Sequence, residues 1–229
     1  MRILVTLLGK GRRDGDGAGR YLETDYGFPD GQVRRGAYFG LELAKVTVPD
    51  RVVILGTASS MWDVLVEDVV VGSLKDGQPM QELRLQLMQA VEEGVVDATL
   101  LDSLSPAIAQ ALGCDVLLRL IPAAITAEAQ RDVLGLMAAS TEGADKVSFD
   151  VTHGYRHLGM LGFLSAFAIE RMRVGHPVQV EAIWYGAFEM KEAGVAPVVR
   201  LDGLLRIQQW VDALNRFDAN GNYGIFAPL

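Results

Sequence analysis

One cysteine, Cys114, is present in 229 residues. A single thiol excludes an internal disulfide and a multi-cysteine metal site. In its apolar stretch it is expected to be a buried, inert thiol. Metal motifs are missing as well. His153 and His157 have the four-residue spacing of helical ligands, but Gly154 stands between them where a zincin carries Glu. No third ligand is evident, so neither a metal nor any other cofactor is expected. Basic residues are outnumbered, 21 Lys and Arg against 29 Asp and Glu, for a formal net charge of −8. Coating long nucleic acid needs broad basic surface, so that class of function is excluded, while a small anionic ligand in a locally basic pocket is not. The longest strongly apolar helical run, Leu158–Ile169, is too short to span a bilayer. The opening strand, Arg2–Leu8, is too short and wrongly flanked for a signal peptide. The reading is a soluble, cytoplasmic protein with no membrane partner. Three enzyme signatures are also missing. The glycine-rich segment after Leu8 has no Gly-Lys-Ser/Thr closure. No Gly-x-Ser-x-Gly elbow occurs, and no Gly-x-Gly-x-x-Gly turn opens a helix.

What is present centres on Val147–Arg156, Val-Ser-Phe-Asp-Val-Thr-His-Gly-Tyr-Arg. Val147, Phe149 and Val151 alternate with Ser148 and Asp150 as in a strand. From Tyr155 to about Arg173 the chain reads as a helix that is apolar almost all round, hence buried on most faces. Asp150, Thr152, His153, Gly154 and Arg156 therefore sit where a buried strand hands over to a buried helix, the place where ligands bind in an open α/β sheet. Thr152 suits an N-cap, Gly154 lets a ligand approach the backbone, and Arg156 offers a planar fork for phosphate or carboxylate. The competing reading is a capped helix with Arg156 paired to a local acid. The convergence of polar groups beside such apolar elements favours a site.

The remaining pattern alternates strand and helix. Strands are expected over Arg2–Leu8, Arg51–Leu55, Asp115–Ile121, Val147–Val151 and Val178–Tyr185, with a short one at Thr99–Leu101. Tyr21–Arg34 reads as a small hairpin about Pro29-Asp30-Gly31. Helices are expected over Arg35–Val46, Met61–Val71, Gln78–Glu93, Pro106–Leu112, Thr126–Ser140 (capped by Thr126) and Asp202–Phe217 (capped by Asp202). Hydrophobic residues make up 50 % and charged residues 22 %, enough for a sizeable core. The expectation is one α/β domain over 1–229: a Rossmann-like, mainly parallel sheet with helices on both faces and a small N-terminal hairpin. The glycine-rich run after Leu8, with Lys10, Arg12, Arg13 and Arg20, is either a phosphate-touching loop or a surface loop. Only Gly9 to Gly11 are held by the strand. Gly56-Thr57 through Met61 again follows a strand with small polar residues, for helix capping or for a ligand. In the last helix Leu204, Ile207, Val211 and Leu214 form a stripe that either packs on its own sheet or extends a dimer seam.

Three segments together, Gly56-Thr57 through Met61-Trp62-Asp63, Asp150-Val-Thr-His-Gly-Tyr-Arg156 and Ile183-Trp-Tyr-Gly-Ala187, resemble the CRISPR-associated Rossmann-fold (CARF) sensors of type III CRISPR systems. The resemblance covers nearly the whole chain. It implies a homodimer that binds a cyclic oligoadenylate, most readily cyclic tetra-adenylate, across its two-fold axis in antiviral signalling. Carried over by position, the ligand-facing residues are Gly9, Lys10, Gly11, Thr57, Ser59, Ser60, Met61, Thr152, His153, Gly154 and Arg156. Many relatives carry a second, effector domain, often a HEPN ribonuclease with an Arg-x(4–6)-His motif. This chain ends where that domain is expected, and Arg171 and His176, which have the spacing, read as an ordinary helix end. Two outputs stay open. A ring nuclease would cut its ligand without a metal, with Arg156 and Lys10 stabilising the phosphorane and His153 serving as acid or base. A sensing module would act on a partner or a missing effector.

Overall fold

The computed structural model describes residues 1–10, 12–13, 19–70, 78–172 and 177–226. In chain order the strands and helices are β1 (Arg2–Leu8), β2 (Arg12–Arg13), β3 (Gly19–Arg20), β4 (Thr24–Gly27), β5 (Val33–Gly36), α1 (Phe39–Thr47), β6 (Arg51–Gly56), α2 (Trp62–Val70), α3 (Gln78–Glu93), α4 (Ala98–Leu112), β7 (Asp115–Leu120), α5 (Ala127–Ser140), β8 (Lys146–Asp150), α6 (Arg156–Met172), β9 (Gln179–Gly186), β10 (Val195–Arg200) and α7 (Gly203–Asn220). A short 3-10 turn, Phe188–Met190, follows β9. Among the described residues an eight-stranded sheet runs in the order β5-β4-β10-β9-β8-β1-β6-β7, and β2 pairs with β3 alone. The five neighbours β9, β8, β1, β6 and β7 are mutually parallel.

Parallel strands covered on both sides must be apolar at successive positions. In β1 and β6, Leu4, Leu8, Val52 and Ile54 join the cluster formed with α1 to α4. Ile3, Val5, Leu7, Val53 and Leu55 join the opposite cluster, with α5, α6 and Leu205 of α7. The expected fold class, helices on both faces of a mainly parallel sheet, is what the chain adopts. From β1 the sheet grows one way through β6 to β7, then resumes on the other side with β8 and β9. Strand order thus reverses between β1 and β8, and a crevice opens at their carboxyl ends.

Several local expectations are corrected. Thr99–Leu101 is not a strand. Asp97 accepts the Leu100 N–H at 2.8 Å and starts one helix, α4, that carries on through Pro106. The residues from Arg35 do not open a helix. Val33–Gly36 pairs with β4, so α1 begins only at Phe39. Strand β10 goes unseen in the sequence because Pro197 reads as a strand breaker. The proline sits in the ladder all the same, and its carbonyl accepts the Ala187 N–H at 2.9 Å. Asp202 does not cap α7 with its side chain; it accepts from Arg200 Nε at 2.6 Å instead. Thr126 does cap α5, accepting the Ala129 N–H at 3.2 Å. Cys114 is half-buried rather than buried, and desolvation pushes its thiol pKa up. Arg171, in the last turn of α6, pairs with Asp212 of α7 and lies 5.1 Å from the Phe167 ring centroid, while His176 lies outside the described residues. Among the described residues no helix is long and apolar enough to cross a membrane.

Candidate functional site

The crevice between β1 and β8 closes to the width of two glycine backbones. Gly9 follows β1, and a Cβ built on it would lie 2.4 Å from Gly154 N and 2.8 Å from Gly154 Cα. Gly154 itself has φ +92°, a left-handed conformation that side chains other than glycine's resist. Gly9 thus serves the close approach of the two segments, and Gly154 serves the turn's left-handed backbone. The groups of Gly9 are already used: its N–H donates to the Tyr21 hydroxyl at 2.7 Å, and its carbonyl accepts the Met61 N–H at 3.1 Å.

Behind this contact lies a buried polar network. Asp150, at the end of β8, is 1 % exposed. Burial pushes its carboxyl up to about 6, against hydrogen bonds that favour the ionised form. Its oxygens accept the Thr6 hydroxyl at 2.7 Å and the Thr152 N–H at 2.9 Å. Thr6 Oγ1 lies 2.8 Å from the Tyr38 hydroxyl, whose pKa burial also raises. Thr152 is not an N-cap: α6 begins at Arg156, and Thr152 Oγ1 accepts the Gly186 N–H at 2.8 Å. That bond ties the turn after β8 to the end of β9. His153 packs beside Tyr21 and Tyr38, with ring centroids 4.2 and 5.2 Å apart. Its Nε2 accepts the Phe39 N–H at 3.2 Å, and desolvation pushes its pKa down to about 3. At neutral pH the ring is uncharged and carries its proton on Nδ1.

Two cavities flank this turn. The larger, about 880 Å³, is lined by Thr152 to Arg156, by Tyr185 and Glu189, and by Met160, Phe163 and Leu204 from α6 and α7. The smaller, about 430 Å³, lies toward the hairpin and the Phe188–Met190 turn. Thr152, His153 and Glu189 line both. Arg156 is exposed, and its charge acts on Glu189 and Tyr185. The Tyr185 hydroxyl donates to Glu189, which holds that carboxyl below its usual range; burial, and then that bond, push the Tyr185 hydroxyl up to about 12. The larger cavity thus combines a cation, a carboxylate and apolar walls at the strand ends of β8 and β9, suited to an anionic ligand with flat apolar parts.

The expected site residues divide into three groups. Thr152, His153, Gly154 and Arg156 line the larger cavity. Gly9, Thr57, Ser60 and Met61 gather at the ends of β1 and β6 and mainly hold each other. Ser60 Oγ donates to Leu8 O at 2.8 Å and accepts the Thr57 N–H at 2.9 Å, and Ser60 and Met61 are buried. Lys10 is exposed and Ser59 half-buried; among the described residues neither lines the two cavities, and Gly11 lies outside the described residues. His157 turns away, its Nε2 2.8 Å from Ala123 O. Sequence reasoning missed Tyr21, Tyr38, Tyr185 and Glu189. The last two carried a signal, an aromatic and a carboxylate just past a parallel strand. The two hairpin-side tyrosines carried none.

No family model matches the chain. The chain is similar to the CRISPR-associated protein MJ1674 of Methanocaldococcus jannaschii, with 25 % identity over 252 aligned positions that take in all of this chain. The chain spans about 38 % of the length of that curated relative. The likeness supports a CRISPR-related role for this chain.

Proposed function

We propose that this protein binds a cyclic oligoadenylate, with cyclic tetra-adenylate as the best candidate, between two copies of the chain in type III CRISPR signalling. The observation that carries the reading is the larger cavity at the Thr152–Arg156 turn, beside the β1–β8 reversal. Arg156 provides a phosphate-binding fork, and the aromatic and apolar walls suit bases turned outward from a ring of phosphates. A second copy is the natural partner. On α7 Leu204, Ile207, Trp210, Val211 and Leu214 are all exposed, and on α6 so is Met160. Leu204 and Met160 also line the cavity, so this apolar face and the cavity mouth are continuous. A symmetric ring matches an isologous pair placed about that mouth.

The proposed reaction is metal-independent. A ribose 2′-oxygen attacks the adjacent phosphorus in line, the P–O5′ bond breaks, and the proton lost at O2′ is balanced by one gained at O5′. Arg156 stabilises the charge on phosphorus. His153 contributes a neutral N–H from Nδ1. A second reading, a module that senses the ring and acts through a partner, is favoured by the Phe39 N–H, which occupies the lone pair on His153 Nε2 and so keeps that ring from accepting the O2′ proton. Incubation with cyclic tri-, tetra- and hexa-adenylate in EDTA, with products resolved and binding followed by calorimetry, tests both. Linear products establish the nuclease. A bound but intact ring supports sensing, and failure to bind any ring overturns the proposal.

A further inference from the structure

We propose that Glu189 and Tyr185 form the proton-transfer pair of ring cleavage, Glu189 taking the proton lost at O2′ and Tyr185 supplying the one gained at O5′. The proposal rests on the ring-cleaving reading above and adds to it the groups that move the proton.

That reaction needs a base. His153 is not free to be one, because its Nε2 already accepts the Phe39 N–H. Among the described residues lining the larger cavity, Glu189 is the one carboxylate. An ionised carboxylate repels a ligand made of phosphates, and a neutral amide in its place would bind such a ligand better. A charge that opposes binding is explained if the reaction uses it. Binding also makes it a better base. The Tyr185 hydrogen bond, and behind it the charge of Arg156, hold the carboxyl below its usual range, and phosphates brought alongside raise it again.

The pair is built on one short segment. Tyr185 lies near the end of β9, and Glu189 follows in the Phe188–Met190 turn, where its Oε1 accepts the Tyr185 hydroxyl. Both line the larger cavity with Arg156, whose charge acts on both. The residues between them are fixed. The Gly186 N–H donates to Thr152 Oγ1 at 2.8 Å, in the turn that leads to Arg156, and the Ala187 N–H donates to Pro197 O at 2.9 Å. Pair and cation are thus held on one frame, as a positioned reaction requires.

The protons balance. Glu189 removes the O2′ proton as O2′ bonds to phosphorus. As the P–O5′ bond breaks, O5′ takes the proton of the Tyr185 hydroxyl. The phenolate recovers a proton from Glu189 across their shared hydrogen bond, so the pair ends as it began and the product carries a cyclic phosphate on O2′ and O3′. Burial pushes the Tyr185 hydroxyl up to about 12, yet a departing alkoxide is a stronger base than a phenolate and takes the proton. Arg156 steadies the transient phenolate.

Single-turnover cleavage and calorimetry with cyclic tetra-adenylate in EDTA compare the wild-type protein with Glu189→Gln and Tyr185→Phe. Each substitution should slow cleavage about 10²–10⁴-fold, the usual contribution of a positioned acid or base. Glu189→Gln should bind the ring at least as tightly as the wild type, because a repelling charge is gone. Tyr185→Phe should bind it within about threefold of the wild type, and the double variant should cleave within about threefold of the slower single one, since the two groups act as a unit. Glu189 is exposed, so its replacement leaves the packing alone and decides the matter even where Tyr185→Phe fails to fold. Glu189→Gln cleaving at the wild-type rate, or losing binding and cleavage together, overturns the pair. A wild-type protein that binds the ring and leaves it uncut also overturns the pair while ring binding stands. No binding of any ring overturns both.

Discussion

Replacing Gly9 by Ala adds one methyl group at the narrowest point of the crevice. The new Cβ would stand 2.4 Å from Gly154 N and 2.8 Å from Gly154 Cα. Both atoms belong to the backbone of the turn, so no side chain can swing aside. Ordinary contact would require the ends of β1 and β8 to part by about 1 Å, against a core where overpacking costs about 1–3 kcal/mol. In a chain of this size each kcal/mol moves the melting temperature by about 2–4 °C, so a drop of roughly 2–12 °C follows. The same displacement shifts the Thr152–Arg156 turn, and a misplacement of about 1 Å can cost about a hundredfold in a positioned site. Gly135→Ala is the control. Gly135 lies within α5 with nothing within 4 Å of an added Cβ, so the same methyl group should stabilise the fold by about 0.5–1 kcal/mol. Thermal melts and cyclic tetra-adenylate titrations of the two variants are the assays. Gly9→Ala with wild-type melting temperature and wild-type affinity would refute the claim that backbone contact at this point shapes the site.

Four further outcomes are expected. Asp150 has an ordinary pKa of 3.8 and a folded value of about 6, so the protonated group stabilises the fold fully below pH 4, loses that effect between pH 4 and 6, and contributes none above. The difference is about 3 kcal/mol, and Asp150→Asn should remove that slope in denaturant unfolding at pH 4.5 and 7.5; His153, held down to about 3, acts in the opposite sense, its contribution being lost as pH falls below 6.5. Arg156→Ala removes a charge-assisted contact from each of two copies, at about 1.5–3 kcal/mol each, and should weaken cyclic tetra-adenylate about a hundredfold or more by calorimetry; an unchanged affinity would take the turn out of the site. Ile207→Asp places a charge in the exposed apolar face of α7, 61 % exposed at this position, and should yield monomers in sedimentation where the wild type gives dimers; a wild-type monomer at micromolar concentration counts against the pairing. Val48 closes α1 at φ +44° while 73 % exposed, so Val48→Asn should stabilise the fold by up to about 1 kcal/mol in chemical unfolding, since asparagine tolerates that conformation better.

The elements that depend on nearest neighbours were legible in the sequence. Arg2–Leu8, Gln78–Glu93 and the Thr126 cap follow from apolar runs, helical spacing and a hydroxyl three residues before a free N–H. So did the strand-to-helix handover at Asp150–Arg156, because polar residues between two apolar elements mark a strand end opening onto a helix. Pairing partners were not legible. Val195–Arg200 contains a proline, and only the presence of β9 and β4 on either side makes it a strand. Thr152 looked like a cap from its neighbours in the chain, yet its hydroxyl is taken by Gly186, thirty-four residues on. The chemistry of His153 was decided in the same way. An unperturbed imidazole titrates near neutrality. Here Tyr21 and Tyr38 desolvate it and the Phe39 N–H occupies Nε2. Local propensity and periodicity act over a few residues and can be read along the chain. Burial and hydrogen-bond partners depend on which distant segments the sheet brings together, and that is settled only in the folded molecule.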